Sequence, residues 1–199
     1  MTKSAFAGLF VAAVLLVGGA LTAESSPALS PELQPKSERT AMQSPTAPHD
    51  FDFFMGHWRV HHRQLKERLA GSREWIEFEG TSSVQKILGG FGNMDDNVIE
   101  KPSGTYRAVT VRAFDPKANR WSIWWIDSRF PGHLDPPVVG SFENGVGTFY
   151  ADDVFNGKLI RVRFIWSRTD TSEPRWEQAF SRDGGKTWET NWIMEFARM

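Results

Sequence analysis

A chain of 199 residues with 23 basic and 24 acidic side chains, a formal charge of −1 and a pI near 6.5 carries no electrostatic footprint for nucleic acid. The absence of cysteine excludes disulfides, thiolate chemistry, a Cys-based zinc site and a lipidated N-terminal cysteine. Nine Trp against two Tyr, with every Trp beyond residue 57 and no internal repeat, point to one aromatic-rich domain with appendages.

The first 23 residues have the order of a secretory signal peptide: Lys3, an apolar run from Ala5 to Leu21, then Thr22-Ala23 before Glu24. Cleavage is expected after Ala23, because Gly18-Gly19 breaks the run and small residues precede the cut. The run also reaches the lower end of the roughly 17 to 25 residues of an uncleaved anchor. Residues 24–50 hold five of the eleven prolines (27, 31, 35, 45, 48) without a hydrophobic period, which reads as a disordered linker. The domain is then 51–199. The leader implies a secreted or periplasmic protein with no stable membrane insertion once it is cleaved.

Aromatics are too dense from Phe51 to Trp58 for a strand, so a short helical turn stopped by Gly56 is expected. A strand follows to about Leu65, with Trp58, Val60 and His62 on one side. Trp75 to Leu88 is a second strand whose Ile76, Phe78, Gly80, Ser82 and Val84 share a face, Gly80 permitting a sharp coil. Leu88 to Asn93 reads as a flexible loop, and Asn97 to Glu100 as a short strand.

Tyr106–Phe114 and Trp121–Asp127 form a hairpin about Asp115–Asn119. Matching apolar to apolar sets Val111 opposite Trp125, Ala113 opposite Ile123 and Val109 opposite Asp127. Phe130 to Pro137 is a loop carrying His133. Strands Val138–Phe142, Val146–Phe155 and Lys158–Ser167 follow. A type I′ turn at Asn156-Gly157 sets Phe155 opposite Lys158 and Asp153 opposite Ile160, which places Asp153 on the apolar face. Arg161 and Arg163 face outward, where cross-strand ion pairs with Glu177 are expected.

Arg175 to Phe196 is the last hairpin. With Phe180 opposite Trp188, one face holds Trp176, Gln178, Phe180, Trp188, Trp192, Met194 and Phe196, and Glu177, Glu189 and Asn191 face away. The fold class is therefore all-β: an antiparallel up-and-down barrel of about ten strands.

Three segments, FDFFMGHWRV (51–60), FDPKANRWSIWWIDS (114–128) and WEQAFSRDGGKTWETNWIMEF (176–196), resemble an uncharacterised bacterial family known only as a domain of unknown function. The likeness spans most of 51–199. More distantly, a helical turn followed by Gly56-x-Trp58 resembles the opening of calycins: lipocalins, fatty-acid-binding proteins and nitrobindin. The lipocalin resemblance implies that Trp58 closes one end of the barrel beneath Arg198. Nitrobindin-like proteins hold haem through a late His, and this chain has none after His133, so haem is not carried over. Ser181-x-Asp183-x-Gly185-x-Thr187-Trp188 is similar to the Asp-box of sialidase propellers. There it is a structural hairpin, and one copy implies neither propeller nor glycosidase.

No Ser-His-Asp order, phosphate loop or HExxH occurs. His57 and His61 share a strand face about 13 Å apart, too far for one ion, and His62 points the other way, so no metal site is expected. The informative residues are polar ones placed among apolar ones: His62, Asp127, Asp153 and Gln178. A buried carboxylate must be paired or protonated, and Arg129 or Arg107 could pair Asp127. The leading expectation is a lipocalin-like barrel that holds a small, largely apolar molecule without a cofactor. Trp58, Trp125, Trp176 and Trp192, with His62, Asp127 and Gln178, would line or close its cavity. The alternative is a barrel enzyme, an isomerase, cyclase or hydrolase, using Asp127, Asp153 or His62 as acid and base. A third reading is an interaction module presenting an outer aromatic such as Trp124.

Overall fold

In the computed structural model, which describes residues 46–199, ten antiparallel strands close into one barrel, each pairing its sequence neighbours and the last pairing the first. The strands are β1 (Gly56–Leu65), β2 (Trp75–Ile87), β3 (Gly92–Lys101), β4 (Gly104–Asp115) and β5 (Arg120–Asp127). They continue with β6 (Val138–Glu143), β7 (Val146–Phe155), β8 (Lys158–Ser167), β9 (Arg175–Ser181) and β10 (Glu189–Arg198). The expected signal peptide and nearly all of the expected linker lie outside the described residues. Asp50, at the end of that linker, accepts a hydrogen bond from the Trp121 indole at 2.9 Å.

One end of the barrel is shut. The aromatic run forms a 3-10 turn (Asp52–Phe54) that tucks under the strands. Phe54 and Trp58 are each 1% exposed, and the Trp58 indole donates to the Phe54 carbonyl at 2.8 Å. The Arg198 guanidinium lies 4.1 Å over the Trp58 ring and donates to the carbonyls of Phe53 and Met55. Phe51 meets Trp121 edge to face at 4.9 Å, and Phe54 contacts Trp166 at 4.6 Å. Each buried ring contributes roughly 1.5–3 kcal/mol. The strands approach so closely here that a Cβ on Gly140 would stand 1.9 Å from the Thr148 carbonyl.

Register decides what faces inward. The Asn156-Gly157 hairpin pairs Phe155 with Lys158 and Asp153 with Ile160, as its turn requires. β4 and β5 are set one residue from the expected pairing: Ile123 lies opposite Arg112, Trp125 opposite Thr110 and Asp127 opposite Ala108. The turn, not the apolar match, fixes this. The Asp115 carboxylate accepts the Lys117 and Ala118 N–H groups, and Asn119 takes a left-handed φ of 51°, closing a loop one residue shorter. Val109, Val111 and Ala113 consequently face out, and Tyr106, Ala108, Thr110 and Arg112 face in.

The last hairpin is also corrected. The Asp183 carboxylate gathers the Lys186 and Thr187 N–H groups and the Thr187 and Ser181 hydroxyls, winding the turn so that Phe180 pairs with Glu189. Trp188 lies outside against Tyr150, its indole donating to the Gly185 carbonyl. A bulge between Thr190 and Trp192 turns the Asn191 side chain inward and restores Trp192, Met194 and Phe196 to the interior. Arg161 and Arg163 stack over Tyr150 and Trp188 instead of pairing Glu177, which Arg175 holds. The segment expected as loop and short strand is the full strand β3, entered by a 3-10 turn at Leu88–Gly90. Gly80 makes room for His62: a Cβ there would meet His62 Nε2 at 2.8 Å and the Val98 carbonyl at 2.5 Å.

Candidate functional site

Above the aromatic floor the barrel holds a cavity of about 300 Å³ that opens where the odd-numbered strands end. Trp125 from β5, Trp176 from β9 and Trp192 from β10 form its wall. Trp192 meets Trp125 at 6.0 Å and Trp176 at 5.8 Å, both edge to face. Phe164 closes on Trp176 at 4.8 Å. Gln178 also lines the cavity, its amide donating to Asn191 at 2.8 Å.

At the floor side the cavity touches a buried ion pair that the sequence analysis did not find. Arg112 is 4% exposed and donates to Asp95 at 2.7 Å and Asn93 at 3.0 Å. The other Asp95 oxygen accepts the Thr110 N–H and the Asn97 amide. The guanidinium lies within 5.2–5.8 Å of the rings of Phe51, Phe54 and Trp166. Asn93, Asp95 and Asn97 alternate inward along β3, a polar stripe facing the polar side chain that the true β4 register turns in. A polar alternation on an expected loop was its one trace in the sequence.

Of the residues singled out in sequence, Trp125, Asp127, Asp153, Trp176, Gln178 and Trp192 all line the cavity. Trp58 lies below it in the floor. His62 sits behind the wall, 2% exposed and stacked on Phe78 at 4.8 Å, its Nδ1 accepting the Trp192 indole N–H at 3.2 Å. Burial, reinforced by the charges of His61 and Lys101, lowers its pKa to about 3 and keeps the ring neutral. Trp124 lies on the outer face, half-buried. Of the exposed large apolar side chains, Phe130 and Leu134 lie on the β5–β6 connection, and Val154 and Leu159 pair at the mouth ends of β7 and β8.

The mouth is charged. Asp127 is gripped by Arg129, which donates from its backbone, Nε and Nη2 at 2.9, 3.1 and 2.7 Å; these bonds hold the carboxyl below its usual pKa. Arg129 in turn lies 3.8 Å over Tyr106. Asp135, on the β5–β6 connection, is pushed up by burial and by the charge of Asp153. Lys101 donates to Gln64 at 2.6 Å and is lowered by burial and by the charges of Arg68 and Arg129. Arg68 reaches in from the β1–β2 connection, its guanidinium 5.7 Å over Phe180 and 5.9 Å over Trp192.

His57 and His61 face outward, bonded to Ser83 at 3.0 Å and Glu79 at 2.7 Å. Among the described residues no group of three or more His, Cys, Asp or Glu could hold a metal ion. Comparison with protein-family models and with curated proteins finds no match to either.

Proposed function

We propose that the chain is an exported, calycin-like barrel that binds a small, largely apolar molecule in the cavity walled by Trp125, Trp176 and Trp192. One observation carries the reading: an aromatic chamber lies between a floor packed to contact and an open, polar mouth. Arg198 stacked over Trp58 at the closed end supports the calycin comparison. The acid–base alternative draws less support, because His62 is shut behind Trp192 and Asp127 is committed to Arg129.

Octan-1-ol titrated against the protein tests the reading through Trp fluorescence, since Trp125, Trp166, Trp176 and Trp192 line the chamber. Saturable quenching is expected in the wild type and its loss in Ala151→Phe, which fills the chamber from β7. Unchanged binding in Ala151→Phe would place the ligand elsewhere, and no binding by the wild type would reject the chamber as an apolar site.

A further inference from the structure

Arg68 is the cavity's unexplained cation. Its guanidinium lines the chamber and makes no hydrogen bond or ion pair with any described residue. The side chain is half-buried, and burial lowers its pKa. Of the neighbouring acids, Asp127 holds Arg129, and Glu189 accepts the Leu69 N–H at 2.6 Å and acts on Arg68 through its charge without a bond. Lys101 beside it donates to the neutral Gln64 amide oxygen and lies 5.4 Å over the Phe78 ring.

The position of Arg68 is built into the fold. Leu69 takes a left-handed φ of 56°, uncommon for a residue with a branched side chain. It is clamped on both sides, its N–H by Glu189 and its carbonyl by Arg182, so the β9–β10 hairpin holds the loop that aims Arg68 inward. Phe180 and Trp192, the rings under the guanidinium, are cavity walls, so an anion here would lie where the apolar chamber begins.

We infer that the bound molecule is an amphiphilic carboxylate whose head group is held in the throat by Arg68, with Lys101 alongside, and whose apolar body lies among the three indoles of the wall. The inference rests on the binding reading above. A planar guanidinium offers paired donors that match a carboxylate, and the aromatic faces behind Arg68 leave its N–H edges for the ligand. The other acids that line the mouth, Asp127, Asp135 and Asp153, come from β5, the β5–β6 connection and β7, while Arg68 and Lys101 come from the β1–β2 connection and the end of β3.

Octanoate, octan-1-ol and octylammonium present one chain with three head groups. Titrated against the full chain by Trp fluorescence, octanoate is expected to bind at least about tenfold tighter than octanol, the yield of one charge-assisted pair, with octylammonium weakest. Arg68→Gln should bring octanoate to within about twofold of octanol, whereas Arg68→Lys keeps part of the preference. Lys101→Gln should reduce the preference by a smaller factor, an independent check should Arg68→Gln lose its fold. Octanol binding as tightly as octanoate, or a preference that survives Arg68→Gln, overturns the head-group assignment and leaves the chamber intact. Failure of all three ligands to bind rejects the chamber reading, and this inference with it.

Discussion

Two arginines enter the same barrel from opposite ends and are treated in opposite ways. At the floor Arg112 is locked to Asp95 and Asn93 under a lid of aromatic rings. At the mouth Arg68 lies on aromatic faces with no bonded partner among the described residues. The floor pair offsets the cost of taking a charge out of water, whereas Arg68, half-buried at the open mouth, has no bonded acceptor among the described residues. The same division holds for packing: the floor admits no extra atom at Gly140, and the chamber above it is empty enough for a ligand.

The largest effect should come from breaking the floor pair. Asp95→Ala strands a charge that is 5% exposed and is expected to cost about 3–5 kcal/mol in urea unfolding. Arg68→Gln is the matched control and should change stability by less than about 0.5 kcal/mol. Equal losses in the two variants would dissolve the contrast between the ends.

A pH titration of stability sharpens the account of the wall. The folded pKa of His62, about 3, lies below its unfolded value near 6.5, so the unfolded chain takes up the proton first. Its stabilisation is fully present above about pH 6.5 and is lost as the pH falls toward 3, an effect on the order of 3–5 kcal/mol. His62→Phe should flatten that slope, and a slope unchanged in this variant would remove His62 as its source.

Packing offers the next comparison. Gly140→Ala, at the floor, is expected to cost about 1–3 kcal/mol by overpacking against the β7 backbone. Ala151→Phe adds far more volume in the chamber and should cost less than about 1 kcal/mol. Thermal unfolding of the two variants reads both. The reverse order would mean that the chamber collapses in solution.

The barrel was legible because most strands announce themselves by alternation and because Asn156-Gly157 fixes one register without any choice of partners. Trp125, Trp176, Gln178 and Trp192 could be placed together from parity alone. The floor pair could not. β3 puts Asn93 and Asp95 inward, so it lacks the apolar period by which a strand is recognised. Its partner Arg112 drew no attention, because the apolar match set Val109, Val111 and Ala113, the opposite face of β4, against Asp127, Trp125 and Ile123. Asp115 and Asn119 set that register through a turn whose loop length could not be read from the strands it joins. Arg68 escaped notice for a different reason: its role arises from a left-handed Leu69 held by residues far along the chain, Arg182 and Glu189. No local pattern encodes such a contact.

The most direct test of an open chamber with a cationic throat is a crystal structure of the protein grown with octanoate. The expected result is density for the alkyl chain among Trp125, Trp176 and Trp192, with the carboxylate on Arg68. Indoles collapsed across an empty interior, or the head group lodged at the Arg112 floor with the chain toward the mouth, would contradict the account.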